Sequence, residues 1–410
     1  MCGDRLTPAA ASVAAVLRDD DLLREIFLRL GFPNYLVRSA LVSKRWLFQI
    51  SDPAFLSRFR DRHPPRLLGI CVGYPSLYQF VPLPQPPELT AVSRRAAASC
   101  NDAFAAVRGQ CIKHCRNGRL ITGFFHDARF RYSLLSPLLA EQLVTVLPPT
   151  PVSRRDWKVR PQKAFTEIFL PEDGGSDGIT LVNLWSVGGN VSAELYVLRS
   201  GGWGVPATAA TELELPDEQH GATFLKAMLP PVHAKVFLVT TFGYTLVLDL
   251  ATASFFTLEL PVGVGHNYNI SCADGSGLYL VNVDGFELSV WLYQMTGGDN
   301  HAGGWLLVDT FCILDACRRV AADSWVPKNG DFFGVLAVGE NAEFVFLDHV
   351  ASGVLFYIHL RSRLAEKVYQ RRASGAGLAY SVLRHIRCSP FMMSWPPIFP
   401  ALSGGPDQQE

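Results

Sequence analysis

Cys111, His114 and Cys115 form a Cys-x-x-His-Cys run, the residue types that hold zinc through thiolate sulfur and imidazole nitrogen. A structural zinc site needs four such donors, and no second Cys-x-x-Cys or His-x-x-x-His cluster completes the set. In a regular strand Cys111 and Cys115 share one face and His114 takes the other. A structural role is therefore expected, with buried free cysteine acting as a small hydrophobe. Gly263-Val264-Gly265 begins a Gly-x-Gly but lacks a third glycine and follows Pro261, which marks turn chemistry and not a dinucleotide loop. A Gly-x-Ser-x-Gly elbow and a Walker loop are absent from the sequence, and no histidine has sequence neighbours that mark it as a general base. No metal or cofactor is expected.

Two basic stretches carry the remaining chemistry. Arg116, Arg119, Arg129 and Arg131 interleave with Phe124, Phe125, Phe130 and Tyr132, a pattern that can stack single-stranded nucleic acid. The formal net charge is zero, so a strand pair with one solvated face is the expected explanation and no nucleic-acid or anionic-membrane partner is expected. The segment 361–372, RSRLAEKVYQRR, fits either a solvated outer strand or a patch for an acidic substrate.

The elements that must position these groups are strands. From residue 110 onward short apolar runs alternate with turn residues. Asn117-Gly118 separates strands at 111–115 and 119–125, and Asp284-Gly285 separates 281–283 from 287–293, both as two-residue hairpin turns. In the latter strand Leu288, Val290 and Leu292 face one way, and Ser289, Trp291 and Tyr293 the other. Further strands are expected at 66–73, 77–81, 165–170, 179–187, 193–198, 236–241, 246–250, 255–260, 305–309, 333–338, 343–347 and 354–360. The proline-rich stretch 82–107 reads as a long loop with a little helix at 96–107, and 315–322 as one helical turn. A faint repeat links YSLLSP (132–137), LVLDL (246–250) and FVFLD (344–348). Many short antiparallel sheets must dispose of their edges, and radial closure into a propeller does so. Six or seven blades suit the length; a large β-sandwich or two stacked barrels are the alternatives. A last strand at 380–386 would pair back toward the first blade, and 401–410 reads as a disordered tail.

The stretch 17–65 is different: three short helices. Asp19, Asp20 and Asp21 suit a helix N-terminus. Leu22, Leu23, Ile26, Phe27 and Leu30 recur at helical spacing, Gly31 supplies a left-handed cap, and Pro33 stops continuation. Asn34 caps a second helix bearing Leu36, Val37, Ala40 and Leu41. Ser51 or Asp52 with Pro53 opens a third, with Phe55, Leu56 and Phe59 on one face. Helices this short bury too little surface to be secure alone and must lean on something else.

Leu17, the acidic run, LLREIFLRL, LVRSALVSKRW and SDPAFLSRFRDRHPP together closely resemble an F-box, in order and spacing. Arg18 stands where that family has proline, and Ser43 where it has cysteine. Residues 66–400 resemble the kelch-like β-propeller domain associated with plant F-box proteins, through HCRNGRLITGF, LVLDLATASFFTLELP, GLYLVNVDGFELSVWLYQM, GWLLVDTF and WPPIFP. The implied fold is multidomain α+β, with the three-helix F-box followed by an all-β propeller-like domain. The implied function is substrate recognition in a Skp–cullin–F-box ubiquitin ligase, without catalysis by this chain. The adaptor contacts carry over to Leu17, Leu23, Ile26, Leu30, Leu36, Leu41, Val42 and Trp46, as an apolar anchor in a groove. The partners would be a Skp-type adaptor, through it a cullin, and an unidentified protein substrate. A propeller enzyme capped by the helices, or an adaptor-binding protein outside ubiquitination, are the other readings.

Nine scattered cysteines fit a reducing compartment, cytoplasm or nucleus. No apolar run is long enough to span a bilayer. The Ala-rich residues 1–16 have the wrong flanks for a signal peptide and read as a disordered leader.

Overall fold

A computed structural model describes residues 8–74, 77–106, 109–126, 129–139, 144–151, 161, 163–172, 178–214, 224–295, 303–320, 332–371, 386–397 and 399. The chain divides into two compact units, one of residues 1–67 with 392–410, the other of residues 68–391.

The first unit is helical. Helix α1 (Pro8–Arg18) precedes α2 (Asp20–Leu28), α3 (Pro33–Ala40), α4 (Lys44–Ser51) and α5 (Pro53–Arg62). Each start after α1 follows from local chemistry. Asp19 caps α2, its Oδ1 accepting from the Asp21 and Leu22 N–H groups at 3.0 and 2.9 Å. Pro33 and Pro53 occupy the first turns of α3 and α5, where a missing N–H costs nothing. Ser43 Oγ accepts from Trp46 N–H at 3.2 Å and caps a helix between the expected second and third, so the F-box stretch holds four helices and not three. Three other local expectations change. Residues 8–18 are helical where a leader without structure was expected, Phe32 and not Asn34 is the cap of α3, and Gly31 does not take a positive φ. Leu23, Phe27, Leu36, Ile50, Phe55 and Phe59 form the core, each at most 2% exposed. It is completed from the far end of the chain: Trp395 is buried in this core and stacks on Phe59, with ring centroids 6.0 Å apart and planes 3° from parallel. Phe399 also packs against this core, so Trp395 and Phe399 of the WPPIFP segment lie with the helices.

The second unit is a six-bladed β-propeller. Strands β1 (Leu67–Tyr74) and β2 (Leu77–Pro82) open it, followed by helix α6 (Pro87–Ala106). The second blade is β3 (Cys111–Arg116), β4 (Arg119–His126), β5 (Arg129–Leu135) and β6 (Val144–Val146). The third is β7 (Lys163–Phe169), β8 (Ile179–Val187) and β9 (Asn190–Arg199), with β10 (Gly202–Trp203) and β11 (Ala207–Glu212) both on β9. The fourth is β12 (Leu225–Met228), β13 (Lys235–Thr240), β14 (Tyr244–Asp249) and β15 (Ser254–Glu259). The fifth is β16 (Tyr268–Cys272), β17 (Leu278–Asp284), β18 (Glu287–Met295) and β19 (Gly303–Cys312), followed by a short helix, α7 (Leu314–Val320). The sixth is β20 (Phe333–Val338), β21 (Phe344–His349), β22 (Val354–His359) and β23 (Leu364–Gln370). Strand β24 (Arg387–Met392) then pairs with β1, so the first blade is closed by the end of the chain.

Blade stacking explains why strands such as KVFLVT are nearly continuously apolar. Alternate side chains go to opposite faces, and here both faces are interfaces. Val236 and Leu238 of β13 pack with the third blade, while Phe237 and Val239 pack with the fifth. Burying one such side chain stabilises by about 1.5–3 kcal/mol.

The stretch 82–107 departs most from expectation. Prolines end at Pro87, which begins a 20-residue helix. Leu89, Ser93, Ala96 and Cys100 make its buried stripe, and Asn101 Oδ1 accepts from the N–H of Phe80 on β2 at 2.8 Å. The helix therefore covers a sheet edge that would otherwise present an unpaired donor. Beneath it, Gly69 is tightly enclosed: an added Cβ would lie 2.5 Å from Phe80 Cζ and 2.6 Å from the Val81 carbonyl oxygen. Gly69→Ala is expected to destabilise the propeller by about 1–3 kcal/mol. An unchanged urea midpoint would refute that close packing.

The first turn stands as expected, while the second turn and the repeat shift. The first hairpin loop is Asn117-Gly118, with φ of 49° and 68°. Asp284 pairs with Glu287, so the second loop is Gly285-Phe286, with Gly285 at φ 56°. The proposed repeat mixes positions: LVLDL and YSLLSP are third strands of their blades, whereas FVFLD is a second strand. The segment 401–410 and residues 380–385 of the expected last strand lie outside the described residues.

Candidate functional site

The helical unit carries an apolar surface beyond its core. Of the eight expected contact residues, Leu23 and Leu36 are wholly buried in that core. Leu17, Leu30 and Trp46 are partly buried against it; Trp46 packs edge-on to Phe27 with centroids 5.1 Å apart. Ile26, Leu41 and Val42 are exposed, by 39%, 66% and 63%. Leu22 and Phe48, exposed by 48% and 72%, were missed. The signal for Leu22 was available. Helix α2 has Leu23 and Phe27 four apart facing the core, and Leu22 and Ile26 four apart beside them, an arc wider than the core needs. Phe48 lies between the buried residues Leu47 and Gln49 on α4, and nothing in periodicity separates it from a core residue.

Arginine orders this surface. Arg45 donates to the carbonyls of Leu17 and Arg18 at 2.7 and 2.6 Å and pairs with Asp20 at 2.5 Å. It thereby satisfies carbonyl groups at the end of α1 and ties α4 to the start of α2. Arg24 bonds Gln49 and lies 3.6 Å from Asp52. Leu22, Ile26 and Phe48 thus sit on helices α2 and α4, which these ties fix to one another, while Leu41 and Val42 lie in the turn between α3 and α4.

The cysteine–histidine run is structural, for a reason other than the one expected. Strand β3 has a bulge between Ile112 and His114: Cys111 pairs with Gly123, His114 with Ile121, and Cys115 with Leu120. The extra residue, Lys113, shifts the alternation by one. Cys111 and His114 now share a face, and Cys115 takes the opposite one. Cys115 lies near Cys100 and Cys388, and burial, followed by those thiols, pushes its pKa well above the ordinary value. His114 is 5% exposed, and its Nδ1 accepts from Leu170 N–H at 2.9 Å. Burial first, and the Arg116 charge second, lower its pKa to about 3. It is a neutral core acceptor. Among the described residues no group of three or more His, Cys, Asp or Glu is placed to hold a metal ion.

The basic stretches disperse. Arg116 pairs with Glu172 at 3.4 Å, and Phe130 and Tyr132 are packed into the interface of the second and third blades, so they offer no stacking platform. In the second stretch Arg371 is buried against Asp348 at 3.2 Å. Arg363 pairs with Asp309 at 2.7 Å and lies over the Phe311 ring. Among the described residues, Arg116, Arg363 and Arg371 are thus each engaged by an acidic partner.

The propeller has a cleft of about 250 Å³ between the fifth and sixth blades, lined by Gly263, Gly265, His266, Asn267, Asn282, Asp284 and Phe332 among others. It lies where the connection entering β16, the β17–β18 hairpin and the start of β20 converge. Asn267 holds the blades together there: its Nδ2 donates to the Val283 and Phe333 carbonyls at 2.9 and 2.7 Å, and its Oδ1 accepts from Val335 N–H at 3.0 Å. The Gly-Val-Gly run read as turn chemistry therefore forms part of the cleft rim. No helix among the described residues is long and apolar enough to cross a membrane.

Comparison with known proteins supports both units. Residues 19–58 match the F-box domain. Residues 111–399 match the family described as F-box protein AT5G49610-like, beta-propeller. Among solved structures the chain is similar to one of a nidogen/laminin complex, at 8% identity and a TM-score of 0.38, over 78% of this chain and 98% of that one. It is similar also to a virginiamycin B lyase from Staphylococcus aureus, at 10% identity and a TM-score of 0.31, over 65% of this chain and 85% of that one. At these scores neither likeness carries a functional argument. No curated protein matches the chain.

Proposed function

We propose, for a chain that belongs to the AT5G49610-like β-propeller family of F-box proteins, that it is the substrate-recognition subunit of a Skp–cullin–F-box ubiquitin ligase. The helices dock a Skp-type adaptor, and the propeller holds a protein substrate. Ubiquitin transfer takes place on other subunits, and this chain contributes by raising the effective concentration of substrate lysines near the charged enzyme. It acts in the cytoplasm or nucleus. The observation that carries the reading is the exposed apolar set Leu22, Ile26, Leu41, Val42 and Phe48, on a helical unit whose own core is already complete without it. Such side chains, held on α2, on α4 and in the turn before α4, suit insertion into a partner's groove.

The test is a pull-down of the purified full chain with a Skp-type adaptor. Ile26→Asp with Phe48→Asp alters exposed residues and leaves the core intact, unlike a change at half-buried Trp46. Hot-spot losses of about 2 kcal/mol each would weaken adaptor binding by roughly a hundredfold or more. Unchanged binding by a folded double variant would refute the contact set. Adaptor binding without cullin-dependent ubiquitination in a reconstituted reaction would place the chain outside ubiquitin transfer.

A further inference from the structure

The cleft between the fifth and sixth blades has an unusual rim. Asp284 and Glu287 are Cα partners at the end of the β17–β18 hairpin, both are exposed, and neither has an ion-pair partner among the described residues. Like charges placed directly opposite destabilise a strand pair. They are tolerated in water, and a cation placed between them would relieve the repulsion. Asp284 also lines the cleft, as does Phe332, a residue 51% exposed. A carboxylate and a free aromatic ring on one cleft are the two groups that attract a guanidinium or ammonium.

The floor points to a peptide and not to a bare cation. Asn282 is 8% exposed and lines the cleft. Its Oδ1 accepts from Trp291 Nε1 at 3.1 Å, which fixes the orientation of the amide. Its Nδ2 hydrogens are then left with no acceptor among the described residues. That donor borders the cleft, and a peptide carbonyl entering the cleft would accept from it. The rim admits a backbone closely, because a Cβ at Gly263, Gly265 or Gly285 would meet nothing within 4 Å. Val262 beside it is 99% exposed and offers apolar contact to a flanking residue. The cleft, at about 250 Å³, is smaller than the roughly 300–1,000 Å³ usual for drug-sized ligands, so it suits one long side chain.

We infer that this cleft binds a lysine or arginine side chain presented by an extended substrate segment, with Asp284 and Glu287 supplying charge, Phe332 the ring and Asn282 a donor to the segment's backbone. The inference rests on the receptor reading only in calling the segment a substrate; the binding itself is read independently.

The test titrates blocked tripeptides, acetyl-Gly-X-Gly-amide with X as Arg, Lys, Gln or Glu, into the full chain, followed by NMR or calorimetry, with agmatine as the free-cation arm. The Arg and Lys peptides are expected to bind about tenfold tighter than the Gln and Glu peptides, and tighter than agmatine. Asp284→Asn and Phe332→Ala should each weaken the Arg peptide several-fold. Asp284→Lys with Glu287→Lys should invert the preference toward the Glu peptide. All these positions are exposed, so the variants keep the fold, which circular dichroism checks. Equal binding of Gln and Arg peptides, or no binding by any, would overturn the site. Agmatine binding as tightly as the peptide would overturn the peptide part. Adaptor pull-down by the same variants should be unchanged, which separates failure of the cleft from failure of the receptor reading.

Discussion

Trp395→Ala is expected to destabilise the helical unit by about 3–5 kcal/mol, the usual cost of truncating a buried tryptophan. Trp395 is 8% exposed and lies flat on Phe59, itself wholly buried. A unit of 86 residues has only about 4–13 kcal/mol of stability to lose, so the change removes a large share of it. The N-terminal helices are therefore incomplete without a side chain more than 330 positions downstream of Phe59. Hydrogen exchange followed by mass spectrometry reads the two units separately. Amides of α4 and α5 should lose protection in Trp395→Ala, while those of β13 and β17 keep theirs. Adaptor binding should weaken in parallel, because the exposed residues Ile26 and Phe48 stand on helices the core holds in place. Trp395→Phe, which retains an aromatic face for Phe59, should recover most of the loss. Unaltered protection across α4 and α5 would mean that the C-terminal segment merely covers a core that stands without it.

The second large effect concerns pH. His114 titrates near pH 3 in the folded chain against an ordinary value of 6.5, chiefly because it is buried. Between those two values the unfolded chain binds a proton that the folded chain does not. Stability from this group is complete above pH 6.5 and falls as pH drops toward 3. The loss amounts to about 2 kcal/mol by pH 5 and on the order of 4 kcal/mol by pH 3. Other groups titrate in the same range, so the reading is a difference. His114→Asn keeps an acceptor for the Leu170 N–H and removes the titration. Urea unfolding at a series of pH values should show the variant less sensitive than the parent between pH 7.5 and 5, by that 2 kcal/mol. Parallel profiles would show that His114 is not held neutral. The same experiment speaks to zinc, because a metal-ligating His114 would make the parent's stability respond to a chelator. The bond from Leu170 to Nδ1 occupies that nitrogen, and no such response is expected.

How much of this was legible beforehand varies with the range of the interaction. The caps at Asp19 and Asp52 and the Asn117-Gly118 turn involve residues within three positions of one another; residue type settles the turn and narrows each cap to two or three neighbouring candidates. Ser43 could have been read the same way, since its cap to Trp46 spans three residues, but the apolar run LVRSALV masked the break. The helix over 87–106 was hidden by prolines that end where it begins. The exposed contact residues divided from the buried ones only in the fold. Leu22 and Leu23 are adjacent and chemically identical, and one is half exposed while the other is wholly buried.

The sequence by itself determined the two-part organisation, the F-box stretch, the strand-rich remainder and the absence of any recognisable phosphate or nucleophile motif, because all of these rest on residue type and short spacing. Only the tertiary structure decided the rest. The Lys113 bulge turned Cys115 away from Cys111, blade neighbours on both sides made single strands apolar throughout, and Trp395 returned to Phe59. The β17–β18 hairpin brought Asp284 to the cleft that Phe332 lines. Each of these depends on which groups meet across tens or hundreds of residues. Local propensity carries no information about such meetings, since a side chain's environment is set by the neighbours that the closed propeller and the packed helices supply.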